Sequence, residues 1–163
     1  MSTSPRSSVQ RIAAHEYEFQ SRWTFDCDYD SVFNLLSRLE DYEQWWPQVT
    51  RSERAAGAGR AIVHLRSSLP FTLKLALQRD VEDHDAGRLR AHVAGDIVGF
   101  VSWTVTREPS GTLVRFDQVV TLEHPVARRV DVLARPILQW NHAVAMRGCA
   151  RGLQDQLPVG GRP

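Results

Sequence analysis

Asn141 and His142 stand side by side near the end of the chain, in a stretch of helical periodicity, and Gln118 interrupts an alternating apolar run. An imidazole donates, accepts and exchanges protons near neutral pH, and a carboxamide both donates and accepts hydrogen bonds. Brought together, His142, Asn141 and Gln118 would polarise or protonate carbonyl oxygens, which makes His142 and Asn141 the catalytic candidates. The same atoms have structural uses. Asn141 and His142 would cap or pin the start of a helix. Gln118 must find a partner in the protein, in water or in a ligand, since an unpaired buried amide costs roughly 1–3 kcal/mol. Helical residues are ~100° apart, so Trp140 and His142 diverge by about 200°, and at most one or two of residues 140–142 look into a common cavity.

Other catalytic signatures are absent. The chain has no G-x-S-x-G, no H-E-x-x-H, no Walker loop and no G-x-G-x-x-G after a strand, and Gly57-Ala58-Gly59 reads as a hairpin turn. The histidines, at positions 15, 64, 84, 92, 124 and 142, include no pair at helical metal-ligand spacing, so no metal and no other cofactor is expected. Asp96 in a turn and Glu40-Asp41 at a helix start are ordinary places for acids, and a lone carboxylate does not specify acid–base chemistry. Cys27 and Cys149 lack the spacing of a zinc or redox pair; they read as small buried thiols and fit a reducing compartment.

The elements that position these residues follow from the patterning. Residues 1–14 are polar and without periodicity and are expected to be flexible, as is the tail 158–163; a single domain then occupies 15–157. From Glu16 the pattern is two-fold, with Tyr17, Phe19, Ser21, Trp23 and Phe25 on one face, predicting a long first strand. Asp28 is placed to cap a short helix with the apolar stripe Val32, Phe33, Leu35 and Leu36, and a second short helix, Leu39 to Trp46, stops at Pro47.

Strands are predicted at 49–53, 60–66, 71–82, 88–94, 98–107 and 112–122, separated by turn signals such as Leu69-Pro70, Asp85-Ala86-Gly87, Gly95-Asp96 and Pro109-Ser110-Gly111. After His124-Pro125 the period becomes helical, with Val130, Leu133, Ile137, Trp140, Val144 and Leu153 as the apolar stripe and Pro136 marking a kink or break.

The order implies an α+β fold, a curved antiparallel sheet of about seven strands covered by one long C-terminal helix, with two short helices after the first strand. Such layers leave an elongated apolar cavity, the usual form of a small-molecule site. On the last hairpin Trp103, Val101, Phe116 and Gln118 are expected to face inward. With Trp46, Trp140, Asn141 and His142 they form the candidate ligand-binding set.

Composition bounds the function. In 163 residues, 20 Lys and Arg against 19 Asp and Glu leave a net charge of +1, which excludes the dense basic surface of a nucleic-acid protein. Lys74 is the only lysine, a bias of composition rather than a set of anion sites. The opening MSTSPRSSVQR lacks the apolar run of a signal peptide, and no window nears the ~20 apolar residues of a membrane span, so a cytoplasmic protein is expected.

Trp23-Thr24-Phe25 followed by Asp30-Ser31-Val32-Phe33, the segment Asp41-Tyr42-Glu43-Gln44-Trp45-Trp46-Pro47, the hairpin with Gly99, Trp103, Gly111-Thr112 and Val114, and the final Trp140-Asn141-His142, Met146, Gly152-Leu153 occur in an order that resembles the polyketide cyclase/dehydrase branch of the START-like (SRPBCC) superfamily over about residues 16–157. The resemblance implies a helix-grip fold that holds an apolar ligand of lipid, sterol, quinone or polyketide type between sheet and helix, and in a minority of members aromatase or cyclase activity. Several similar proteins follow the Asn-His pair with an acid, where this chain has Ala143.

Three functions are thereby set against one another. The leading one is binding of a small hydrophobic molecule, the second a cyclase-type enzyme acting on a carbonyl-rich substrate in the same cavity, and the third a protein-interaction module. The patterning leaves the ligand's identity and the oligomeric state open.

Overall fold

The alternation of Glu16–Phe25 is realised as a strand whose inward residues Tyr17, Phe19, Ser21, Trp23 and Phe25 are all buried. The computed structural model describes residues 6–13, 16–68, 70–123 and 131–157. Residues 1–5, 14–15 and 69, the break at His124-Pro125, Val130 and the tail 158–163 lie outside the described residues.

The elements run β1 (Arg6–Ala13), β2 (Glu16–Phe25), α1 (Tyr29–Ser37), a 3₁₀ turn (Leu39–Asp41), α2 (Tyr42–Trp45), β3 (Val49–Arg54), β4 (Arg60–Arg66), β5 (Thr72–Asp83), β6 (Arg88–Gly95), β7 (Ile97–Glu108), β8 (Gly111–Leu122) and α3 (Asp131–Gln156). All eight strands form one antiparallel sheet in the order β1-β2-β8-β7-β6-β5-β4-β3, with α3 against its inner face. Among the described residues the sequence-distant neighbours in the sheet are β2 and β8, which pair without a break from Glu16 opposite Thr121 to Phe25 opposite Thr112.

The sheet of about seven expected strands has an eighth at its edge. Residues 6–13, expected to be flexible, pair with β2 from Arg6 opposite Arg22 onward. Their polar sequence hides a strand because an edge strand is held largely by backbone hydrogen bonds to its one neighbour and buries little. Among its described side chains only Val9 is buried, while the Ser7 hydroxyl meets that of Ser21 at 3.0 Å.

Asp28 caps α1 as expected, its carboxylate accepting from the Ser31 N–H at 2.9 Å. Hydrogen bonding from the Ser31 side chain first, and from its N–H second, favours the charged form and holds the carboxyl below the usual range. The second helix is shorter than expected, a 3₁₀ turn and four residues of α2, closed by the Trp46 N–H bonding the Tyr42 carbonyl at 2.8 Å just before Pro47.

Of the stripe expected on the long helix Leu153 is buried and the Leu133 side chain lies outside the described ones, while most of the buried face is a different one. Among its described side chains the buried ones are His142, Ala145, Met146, Gly148, Cys149, Gly152 and Leu153, at intervals of three and four, whereas Ile137 and Val144 are half-buried and Trp140 is exposed. Bulk misled the prediction, because small residues are what permit close approach. A Cβ on Gly152 would lie 1.6 Å from the Trp45 carbonyl oxygen, so α2 packs directly on the α3 backbone there. Pro136 does not break α3; it sits in the second turn, where its missing N–H removes one bond near the helix start.

Candidate functional site

Between α3 and the concave face of the sheet lies a cavity of about 130 Å³. That is roughly ten times the minimum for a single water. Strands β4 and β5 supply aliphatic side chains including Val63, Leu75 and Leu77, and β7 and β8 supply Val101, Trp103, Phe116 and Gln118. The roof is Leu138, Asn141, His142, Ala145 and Met146 from α3, and Tyr42 and Trp46 close one side.

Trp46, Tyr42 and Asn141 hold their polar groups at this wall in hydrogen bonds. Trp46 Nε1–H donates to the Ala145 carbonyl at 3.0 Å, and the Tyr42 hydroxyl donates to the Leu36 carbonyl at 2.7 Å. Burial pushes the Tyr42 phenol above its ordinary range. Asn141 Oδ1 accepts from the Ser68 N–H at 2.6 Å and the Ser67 hydroxyl at 3.3 Å, tying the turn after β4 to α3.

His142 is 6% exposed. Its ring lies 4.6 Å from that of Phe19 and is stacked 5.9 Å from that of Phe116, and its Nε2 meets Ser21 Oγ at 3.1 Å. With no counter-charge beside it, burial lowers its pKa to about 4, so the imidazole is neutral at pH 7. No Asp, Glu, Lys or Arg is among the lining residues.

Seven of the eight sequence-derived ligand candidates, Trp46, Val101, Trp103, Phe116, Gln118, Asn141 and His142, line this cavity. Trp140 does not: it is 56% exposed, on the opposite side of α3 from His142, as the ~200° between them requires. Neither Asn141 nor His142 caps the helix start. They lie well inside α3 and pin it to the β4–β5 turn and to β2.

Ser21 was not among the candidates. Its signal was a lone hydroxyl on the otherwise apolar face of the first strand. Gly99 is unsuited to cavity filling, because its φ is +152° and a Cβ there would lie 2.0 Å from the Val119 carbonyl oxygen.

Several of the other acids and histidines are engaged in ion pairs or hydrogen bonds outside the cavity. Glu40 pairs with Arg54, Asp41 accepts from the Gln44 amide at 3.1 Å, and Asp96 accepts from the Lys74 N–H at 2.7 Å in the β6–β7 turn. His84 lies 2.9 Å from Asp30, and His92 lies 3.5 Å from Asp80. Among the described residues no cluster of three His, Cys, Asp or Glu is placed to hold a metal, and no helix is long and apolar enough to cross a membrane.

Compared with known proteins, residues 17–154 match the family model described as polyketide cyclase / dehydrase and lipid transport. No curated protein sequence matches the chain. Among solved structures the fold is similar to TTHA0849 from Thermus thermophilus, at 19% identity and a TM-score of 0.73 over 85% of this chain and 95% of that one. It is also similar to the Zhui aromatase/cyclase from Streptomyces sp. R1128, at 12% identity and a TM-score of 0.71 over 87% of this chain and 93% of that one. A START superfamily protein from Mycobacterium smegmatis aligns at 13% identity and a TM-score of 0.63, over 88% of this chain and 97% of that one. At such identities the likeness is one of fold.

Proposed function

The chain belongs to the polyketide cyclase / dehydrase and lipid transport family, and from that premise we propose that it binds a small hydrophobic molecule in the cavity between the sheet and α3. The observation that carries the reading is the cavity itself, an almost wholly apolar space walled by aromatic and aliphatic side chains. Trp46, Val101, Trp103, Phe116, Gln118, Asn141 and His142 are the residues that would touch the ligand.

Binding is favoured over cyclase chemistry by the state of the lining groups. A general acid or base works best with a pKa near the operating pH. His142 is pushed down to about 4 and the Tyr42 phenol upward, and no carboxylate stands beside the imidazole to raise it. A cytoplasmic setting is supported by Cys27 and Cys149, both buried free thiols.

The test is native mass spectrometry of protein purified from cells, with extraction and identification of what it retains, beside a Val101→Phe variant that fills the cavity. A stoichiometric lipid, quinone or polyketide lost in the variant supports the reading. An empty protein that no apolar compound stabilises in a thermal-shift panel overturns it.

A further inference from the structure

Resting on the reading of this cavity as a ligand site, we infer that its occupant is an uncharged apolar molecule carrying a hydrogen-bonding group that His142 reads. We further infer that the chain Ser7–Ser21–His142 lets the imidazole receive that group whether it is an acceptor, such as a ketone, or a donor, such as an N–H.

The argument begins at Nε2. It is engaged by Ser21 Oγ at 3.1 Å, and Ser21 Oγ is engaged in turn by Ser7 Oγ at 3.0 Å. Ser21 is 1% exposed, whereas Ser7 lies exposed on the edge strand, within reach of water. A serine hydroxyl has one rotatable hydrogen and two lone pairs, so this chain is satisfied in either direction. Running inward, Ser7 donates to Ser21 and Ser21 donates to Nε2, which places the imidazole proton on Nδ1. Running outward, Nε2–H donates to Ser21, Ser21 donates to Ser7 and Ser7 donates to water, which leaves a lone pair on Nδ1. Neither direction strands a buried polar atom, because the exposed end absorbs the difference.

His142 Nδ1 has no hydrogen-bond partner among the described residues, and the residue lines the cavity. Gln118 stands nearby with an amide that also has no such partner. Its register partner on β2 is Phe19, whose ring packs on His142, and its amide, like the imidazole, serves donors and acceptors alike. A ligand carboxylate would instead lose its hydration against a wall without Lys or Arg, and an ammonium against one without Asp or Glu.

The test uses four probes built on one fused six–five ring frame: indene, which offers no polar group; 1-indanone, an acceptor only; indole, an N–H donor; and indane-1-carboxylate. Their affinities are read by isothermal titration calorimetry. Indanone and indole are expected within about threefold of each other, each at least about tenfold tighter than indene, with the carboxylate weakest. In Ser21→Ala the buried Nε2 keeps a lone pair more cheaply than an unpaired N–H, so the proton moves to Nδ1 and the ratio shifts about tenfold toward indanone. Ser7→Ala, on the exposed edge strand, shifts it in the same direction by a smaller factor. His142→Phe brings indanone and indole down to the level of indene. Unchanged indene affinity shows that each variant is folded.

Equal affinity for indene and indanone, a ratio unmoved by both serine variants, or tight binding of the carboxylate overturns the inference and leaves an apolar binding cavity standing. Failure of all four probes to bind overturns the cavity reading with it.

Discussion

The imidazole Nε2 of His142 lies 3.1 Å from the hydroxyl of Ser21, joining the interior of the long helix to a strand 121 positions earlier. This contact closes α3 onto the β2 side of the sheet and fixes the ring between Phe19 and Phe116. Because burial depresses the folded pKa from 6.5 to about 4, the unfolded chain binds the proton more readily in that window. Stability from this group is fully present above about pH 6.5 and is lost as the pH falls toward 4, by about 3 kcal/mol in all. Urea denaturation of wild type and His142→Gln between pH 7.5 and 4 should show their stability difference shrinking across that window and flat above it.

Trp140 and Leu153 separate bulk from burial on α3. Trp140 is exposed and Leu153 fully buried in the core cluster. Trp140→Ala should change stability by about 0.5 kcal/mol or less, and Leu153→Ala should cost about 3 kcal/mol. Chemical denaturation midpoints distinguish the two, and equal losses would contradict the observed helix face.

The two buried glycines of α3 should respond unequally to a methyl group. At Gly152 the added carbon meets the Trp45 carbonyl, which is backbone and cannot turn away, so Gly152→Ala should cost about 3 kcal/mol. At Gly148 it meets the end of the Gln48 side chain, which can rotate, while alanine gains about 1 kcal/mol of helix propensity. Gly148→Ala is therefore expected near neutral in a thermal melt.

Asn141 holds the turn after β4 through Ser67 and Ser68. Removing the carboxamide with Asn141→Ala should cost about 1 kcal/mol, since the freed Ser68 N–H is exposed to water. It should also speed release of a bound apolar probe, because Leu65 and Leu73, flanking that turn, line the cavity. Stopped-flow displacement measures the release rate, and an unchanged rate would mean that this turn does not govern exit.

Much of this protein was legible in one dimension. Side chains alternate strictly along a strand, so the inward faces of Tyr17–Phe25, Leu73–Leu77, Leu89–Val93 and Val101–Val105, and the inward position of Gln118, followed from spacing alone. Asp28 as a cap and Pro47 as a stop are equally local, because each acts on its own turn of backbone.

What the sequence did not determine depends on distant partners. The edge strand β1 has a polar sequence, and only the open edge of β2 makes it a strand. The buried face of α3 is set by Ala145, Gly148, Cys149 and Gly152, whose small size matters only where α2 and the sheet come close. Trp140 looked like core because hydrophobicity is a property of a residue, whereas burial is a property of the surface opposite it. Ser21 became a partner of His142 for the same reason: hydrogen bonds form between atoms about 3 Å apart in space, and the pairing of β2 with β8, packed under α3, is what brings those two atoms together.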